Sequence, residues 1–294
     1  MKGGVSFMLH TVLWKIGTLL LFAEMITAVY MVDNPAAGEE NLIVVVESKE
    51  SQNRISDGDA QMANSFQVEV IREENSVSAF AGKKVLIYHT HTYEAYEQVQ
   101  GKVYEQTEKW RTKDSENNVI AVGKALSACL CAMGIDAVHD TTAFEPPNLE
   151  DAYQRSLAML EKRGNNGEKY DLYIDLHRDA IASSSTIKRT VNIGGEEVAR
   201  FMVLVGKGTT GGYEEKPDWE KNLLLAQTIT DALNRQCSNL ARDVKIKSGR
   251  FNQHIADCCI LIECGMNTNT LEEVLSGVPY LAEAISEALA NSTR

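Results

Sequence analysis

The stretch DLYIDLHRD, residues 171–179, decides the fold because it joins an apolar run to a charged end. The run is short, carries branched and aromatic side chains, and is bounded by polar residues, which is typical of a buried strand. A buried charge without a partner is costly. The sequence therefore predicts that His177, Arg178 and Asp179 find partners at the end of this strand.

Two further apolar runs end in the same way. Residues 85–88 (VLIY) lead into His89, and residues 260–262 (ILI) lead into Glu263. Ligands of an open α/β sheet bind just beyond the carboxyl ends of its strands. Three strands that deliver His89, His177 and Glu263 to one edge predict a metal-dependent hydrolytic site.

Composition limits the classes of function. A chain of 294 residues that is 44% hydrophobic can form one large domain with an N-terminal extension. Its net charge of −12 argues against nucleic acid as a partner and implies that an anionic polymer is held by local contacts. The six cysteines show no CxxC spacing, which favours buried thiols over disulfides or a cysteine–zinc site.

The N-terminal region carries a candidate membrane segment. Residues 12–32 are largely apolar and long enough for one span of roughly 20 residues. Lys2 and Lys15 precede its centre, which predicts an internal N-terminus and an external remainder. Lys15 and Glu24 count against a span, so a buried or interfacial helix is the alternative. No convincing cleavage site follows, which favours a retained anchor.

These features divide the chain into three parts. We expect a signal anchor or transmembrane helix over residues 1–32 and an acidic linker or stalk over 33–80. The linker contains two strand-like pieces, LIVVV and FQVEVI, that could add an edge strand. Residues 81–294 form the catalytic domain.

Strand and helix patterns alternate along the catalytic part. Strands are predicted at 83–88, 135–140 and 258–262 besides the central one. Helices are predicted to begin after Asn118, after Asn148 or Asp151, after Asp218, after Thr270 and at Pro279. Residues 187–205 predict a hairpin around Gly194-Gly195. The predicted fold is α/β, a single mostly parallel twisted sheet with helices on both faces and one antiparallel hairpin.

The polar strand ends suit zinc chemistry. Zinc binds imidazole nitrogen and carboxylate oxygen, and a hydrolytic site keeps one position open. His89 and His177 are the predicted imidazole ligands, and Glu94, five residues after His89, is the predicted carboxylate ligand. Bound Zn²⁺ would polarise a scissile carbonyl. Glu263 is then the general base that takes a proton from water and passes it to the leaving amine.

Several assignments have alternatives. His91 competes with His89, because on a continuing strand both would face the same side; otherwise His91 orients a ligand. His139 has no companion motif and is interpreted as hydrogen-bonded to a loop. Arg178 and Asp179 form a charged cluster beside His177 and are candidates for supporting or substrate-contacting residues.

Three motifs occur together in a recognisable order. Residues 88–96 (YHTHTYEAY), 175–180 (DLHRDA) and 261–265 (LIECG) with 269–273 (NTLEE) resemble the stage II sporulation protein P family, over about residues 82–290. That resemblance implies a membrane-anchored peptidoglycan hydrolase of endospore formers, with a fold related to zinc-dependent N-acetylmuramoyl-L-alanine amidases. It also implies cleavage between muramic acid and the stem peptide, with stem-peptide endopeptidase activity associated with the family.

The resemblance carries further expectations. It implies a role in septal wall thinning and engulfment, with the stage II sporulation proteins D and M as partners. It also implies a location at the sporulation septum and the forespore-engulfing membrane. Asn252 and Gln253 match the family and are candidates for substrate contact. Residues 254–257 (HIAD) depart from its usual Leu-Ser-Pro-like turn. Asn117 and Asn118 stand where related amidases have a zinc glutamate, so Glu94 takes that role here.

Two other functions are compatible with the residues. A catalytically inactive scaffold could keep the fold and bind glycan or a partner of the engulfment complex. A cytosolic metallopeptidase would require residues 1–32 to be an ordinary helix. The set of His89, Glu94, His177 and Glu263 favours the enzyme, because a scaffold has no need of four reactive side chains.

Overall fold

The computed structural model describes residues 82–182, 184–208 and 218–291, together with the backbone of three strands nearer the N-terminus. These strands are β1 (Thr27–Val32), β2 (Leu42–Glu50) and β3 (Asn64–Ile71), and they form a sheet in the order β1-β2-β3. Both strand-like pieces of the expected linker are therefore strands. They pair within this three-stranded sheet instead of adding an edge to the main sheet.

The expected membrane segment falls mostly outside the described residues. Of residues 1–32, only Thr27–Val32 is described, and it is strand β1 instead of helix. Within the described part of the chain, no helix has the length and apolar character needed to cross a membrane.

A six-stranded sheet forms the centre of residues 82–291. Its strands are β4 (Lys84–Tyr88), β5 (Asp136–His139), β6 (Leu172–Asp179), β9 (Phe201–Gly206), β10 (Lys245–Lys247) and β11 (Cys259–Met266), in the order β10-β9-β11-β6-β4-β5. Strands β5, β4, β6 and β11 run parallel, and β9 runs antiparallel to β11. The predicted mostly parallel sheet is confirmed.

The predicted hairpin is also present, but it is shorter than expected. β7 (Thr190–Ile193) and β8 (Glu196–Ala199) pair antiparallel around Gly194 and Gly195, whose φ angles of 64° and 100° suit a tight turn. The second arm was expected to continue to residue 205. It ends at Ala199, because the six residues of β9 are all buried and belong to a sheet covered on both faces.

Five helices are described: α1 (Val119–Ala132), α2 (Ala152–Asn165), α3 (Trp219–Gln236), α4 (Leu271–Leu275) and α5 (Val278–Asn291). Helices α1, α3 and α5 share the larger core with one face of the sheet. Helix α2 covers the other face through Leu160, which packs on Leu86, Tyr88, Tyr173 and Cys259. Helices therefore cover both faces, as predicted.

The helix starts follow local side-chain chemistry. Asn118 Oδ1 accepts a hydrogen bond from Ile120 N at 2.9 Å, and Thr270 with Glu273 forms the predicted capping box. Asp218 precedes α3 as expected, but its side chain makes no cap hydrogen bond. Its φ of 55° departs from the extended backbone that capping requires.

Alternation along β6 determines which side chains reach each face. Leu172, Ile174 and Leu176 belong to the larger core beneath α1 and α5. Because successive strand residues point to opposite faces, Asp175 and His177 lie on the α2 face. The carboxyl end of β6 thus places polar groups on the face with the smaller apolar cluster.

Helix α1 meets two histidines at a glycine. His89 Nε2 lies 2.8 Å from His139 Nε2, and His89 Nδ1 lies 2.9 Å from the Leu176 carbonyl oxygen. A Cβ atom on Gly123 would lie 2.5 Å from His139 Nε2 and 2.6 Å from His89 Nε2. The close approach of α1 to the sheet therefore requires glycine here.

We predict that Gly123→Ala destabilises the fold. Alanine favours a helix by about 1 kcal/mol over glycine, but forcing a methyl group into a packed core costs about 1–3 kcal/mol. The matched control is Gly164→Ala in α2, where a Cβ meets nothing within 4 Å. Urea unfolding should show a lower free energy of unfolding for Gly123→Ala than for Gly164→Ala. Equal values would contradict this account of the packing.

Candidate functional site

His177 lies at the centre of a buried polar cluster beyond the sheet edge. Its Nδ1 is 3.2 Å from Glu94 Oε2, and its Nε2 is 2.9 Å from Asp175 Oδ1. The His91 ring packs edge-on against it, with 5.3 Å between ring centroids. The structure therefore brings together His91, Glu94 and His177, which come from the loop after β4 and from β6.

Arg178 holds Glu94 in this position. Its backbone N–H donates to Glu94 Oε2 at 3.2 Å, and its guanidinium Nη1 lies 3.8 Å from Oε1. The guanidinium also donates to the carbonyl oxygens of Ala95 at 3.0 Å and Trp110 at 3.2 Å. Arg178 thus joins the end of β6 to both sides of the long loop that carries Glu94.

Glu263 comes to the cluster from the neighbouring strand. Its Cα is in register with that of His177 on β6 and with that of Met202 on β9. The residue is half-buried, and its buried Oε2 atom has no hydrogen-bond partner within the described ranges. A carboxylate oxygen without a partner beside an imidazole is suited to exchange a proton with a bound molecule.

The surroundings of the two carboxyl groups in the cluster shift their pKa values in opposite directions. Burial raises the pKa of Glu94, but the hydrogen bond and charge of His177 outweigh burial and lower that pKa to about 2. Burial dominates at Glu263 and raises its pKa to about 8. Glu94 is therefore ionised across the physiological range, whereas the Glu263 carboxyl is largely protonated at neutral pH when no metal is bound.

The pKa values of the two histidines are also shifted in opposite directions. Burial lowers the pKa of His177, but Asp175 and then Glu94 raise it well above the ordinary value. Burial lowers the pKa of His91 to about 4, so its ring is neutral at neutral pH. A neutral imidazole is the form that binds a metal, so His177 would release its proton as a metal binds, whereas His91 needs no such change.

His89 does not join this cluster, in contrast to the expectation from the sequence. Strand β4 ends at Tyr88, and His89 stays on the side of Val85 and Ile87, next to His139 and α1. The chain then turns, and the His91 ring faces α2, where it packs against Tyr153 with 5.5 Å between ring centroids. The expectation assumed a strand that continued through both histidines, and the turn separates them.

The remaining candidates, Asp179, Asn252 and Gln253, form hydrogen bonds with other parts of the chain. Gln253 accepts from Gly206 N and donates to the Leu204 carbonyl oxygen, both at 2.9 Å. Asn252 donates to the Tyr153 carbonyl oxygen at 2.9 Å. The expected substrate-contacting amides are therefore bonded to the chain itself. Asp179 accepts from Arg242 Nη1 at 2.7 Å, which holds the end of β6.

Two residues of the cluster were missed from the sequence. Asp175 lies two positions before His177, and the period-two pattern of β6 would have placed both on one face. Tyr153 lies on α2 and contacts the His91 ring. Its contact depends on the turn after β4, for which the sequence carries no local signal.

The donor types in the cluster suit zinc. No group of three or more His, Cys, Asp and Glu side chains forms a ready-made cation site within the described segments. Two ligand atoms of a tetrahedral zinc site, each about 2.1 Å from the ion, lie about 3.4 Å apart. The 3.2 Å between His177 Nδ1 and Glu94 Oε2 fits that spacing, and His91 Nδ1 has no hydrogen-bond partner among the residues described.

We predict that Arg178→Met lowers the free energy of unfolding by about 3–5 kcal/mol, because the buried Glu94 carboxylate loses one of its two cationic neighbours and keeps only His177. Amide hydrogen exchange of residues 93–112 should also accelerate, since two carbonyl contacts are lost. The control is Arg235→Met, whose exposed ion pair with Glu287 contributes about 0–1 kcal/mol. If both variants unfold at the same urea concentration, Arg178 does not fasten this loop.

Comparison with solved structures gives low structural similarity. An N-acetylmuramoyl-L-alanine amidase from Clostridium difficile 630 is 17% identical, with a TM-score of 0.45, over 73% of this chain and 97% of that one. The N-acetylmuramyl-L-alanine amidase Ami1 of Mycobacterium smegmatis is 13% identical, with a TM-score of 0.44, over 72% of this chain and 99% of that one.

Comparison with known sequences is more specific. The curated stage II sporulation protein P of Bacillus subtilis (strain 168) is 26% identical over 216 residues, which are 70% of this chain and 51% of that protein. The chain thus spans about half the length of that relative. The family model described as stage II sporulation protein P (SpoIIP) matches residues 21–286. Because this match covers most of the sequence, the chain belongs to the stage II sporulation protein P family.

Proposed function

We propose that the chain is a zinc-dependent peptidoglycan hydrolase, an N-acetylmuramoyl-L-alanine amidase that acts in septal wall thinning and engulfment during endospore formation. The observation that carries the proposal is the convergence of His91, Glu94 and His177 beside Glu263. Two imidazoles, one ionised carboxylate and one protonatable carboxyl are the groups that metal-assisted amide hydrolysis needs.

In this proposal, His91, Glu94 and His177 hold the metal. His91 takes the role that the sequence assigned first to His89, because His89 has both ring nitrogens engaged on the other face of the sheet. Zinc in this donor set would supply a Lewis acid that polarises the scissile carbonyl. Arg178 keeps Glu94 oriented toward His177.

Glu263 is the proposed general base. It takes a proton from the attacking water as oxygen adds to the carbonyl carbon, and it returns that proton to the nitrogen as the C–N bond breaks. The positive charge of bound zinc would favour the carboxylate form that accepts this proton. Burial, which raises the pKa of Glu263 to about 8, lets the carboxyl hold the proton between the two steps.

Membership of the family supports the wider parts of the proposal. These are a retained membrane anchor in residues 1–32, an extracytoplasmic catalytic domain at the septum, and partnership with the stage II sporulation proteins D and M. An accompanying stem-peptide endopeptidase activity is supported in the same way. Because the net charge of −12 does not attract an anionic polymer, we expect peptidoglycan to be bound by local contacts in a groove.

We predict opposite effects for the two neighbouring histidines. His91→Ala should abolish zinc binding and sacculus digestion with little loss of stability, because the His91 side chain is partly exposed. His89→Ala should lower the free energy of unfolding, because it leaves a cavity between α1 and the sheet, and it should retain zinc. Metal analysis and urea unfolding of the full chain measure both. Zinc lost from His89→Ala and retained by His91→Ala would reverse the assignment.

The reaction itself is tested on purified sacculi. The wild-type chain should release soluble products, and mass spectrometry should show stem peptides with a free L-alanine amino end. Glu263→Gln should keep its zinc and lose about 10²- to 10⁴-fold in rate. A wild-type chain that binds glycan but releases no product, with or without zinc, would instead support the inactive scaffold.

A further inference from the structure

Asp175 is a buried charge that has no role in the reaction as proposed. It is 1% exposed and lies two residues before His177 on β6, on the same face of the sheet. Its Oδ1 accepts from Thr90 N at 2.8 Å and lies 2.9 Å from His177 Nε2, and its Oδ2 accepts from Thr90 Oγ1 at 2.7 Å. Both carboxylate oxygens are therefore engaged.

Apolar side chains flank the carboxylate on this face. Tyr173 on the same strand and Leu261, in register with Asp175 on β11, are both buried there. A charge buried among apolar side chains is unfavourable unless it has partners. The use of a carboxylate at this position is therefore explained by what it contacts.

Asp175 is fixed by a chain of hydrogen bonds that leads away from the site. Thr90 Oγ1 lies 2.9 Å from Ser156 Oγ on α2. Asn252 Nδ2 donates to Ser156 Oγ at 3.0 Å. The carboxylate is thus connected through the loop after β4 to α2 and to the turn before β11. Three parts of the chain outside β6 therefore determine where the carboxylate lies.

The two nitrogens of His177 face different carboxylates. Nε2 lies next to Asp175, and Nδ1 lies next to Glu94. The contact with Asp175 is one of charge, because Nε2 has no aligned hydrogen bond among the residues that the structure describes. A histidine that binds a metal through one nitrogen usually directs the other toward a carboxylate, which fixes the ring.

We propose that Asp175 is a positioning residue that sets the His177 ring so that Nδ1 faces the metal position beside Glu94. Thr90, Ser156 and Asn252 keep the carboxylate in place. This inference rests on the proposed zinc site and adds to it a specific second carboxylate with its own support. Asp175 acts through His177 and does not touch the substrate.

The test measures zinc affinity of the full chain by competition with a chelator, and the visible spectrum after cobalt substitution. Asp175→Asn keeps the shape of the side chain and removes its charge. We expect its zinc dissociation constant to rise about 10- to 100-fold, with shifted cobalt bands from a displaced imidazole. The control is Asp171→Asn, an exposed carboxylate at the start of the same strand that accepts from Lys84 N.

The outcomes separate the inference from the proposed function. If the wild-type chain binds zinc and Asp175→Asn matches Asp171→Asn in affinity and spectrum, the positioning role is wrong and the zinc site stands. If the wild-type chain binds no zinc, the zinc site and the inference fall together. Weaker binding with shifted cobalt bands in Asp175→Asn alone supports the inference.

A second pair of variants covers the case in which Asp175→Asn does not fold. Thr90→Val removes the hydroxyl that joins Asp175 to Ser156 and keeps the side-chain volume, and Thr90→Ser restores that hydroxyl. We expect weaker zinc binding and shifted cobalt bands in Thr90→Val, with both restored in Thr90→Ser. Equal affinity and identical spectra in the two variants would overturn the inference.

Discussion

The imidazole of His177 lies between two buried carboxylates, Asp175 and Glu94, and the surrounding structure maintains that arrangement. Buried charge of this density is unfavourable unless each group has a partner. The chain supplies those partners from outside the strand. Thr90 binds Asp175, and Arg178 binds Glu94.

The alternation of β6 makes this arrangement possible. Its apolar residues enter the larger core, and its alternate residues turn toward α2, so one strand both stabilises the sheet and carries the site. The parallel neighbour β11 follows the same alternation and brings Glu263 into register with His177. The reactive groups are therefore placed by sheet geometry, and the loop after β4 completes the set.

Much of the fold follows from local pattern. The apolar runs of β4, β6 and β11, the capping box at Thr270 and the tight turn at Gly194 each determine their own structure, and these predictions were confirmed. The split between β8 and β9 was not predicted, because an apolar run does not reveal which sheet it joins. The same limit applies to the early strands, whose pairing partners lie far along the chain.

The site was only partly predictable for a related reason. His177 and Glu263 were placed together because strand ends meet at one edge, and Glu94 was added from the loop that follows His89. The choice between His89 and His91 depended on the turn after β4, which places the two rings on opposite faces of the sheet. The contacts of Asn252 and Gln253 depend on the tertiary structure around α2 and β9.

The most direct test of the account is anomalous diffraction at the zinc edge from crystals of the chain grown with zinc. The account predicts one strong peak bounded by His91, Glu94 and His177, with Glu263 beside it. A peak at His89 and His139, or no peak in protein shown to contain zinc in solution, would contradict it.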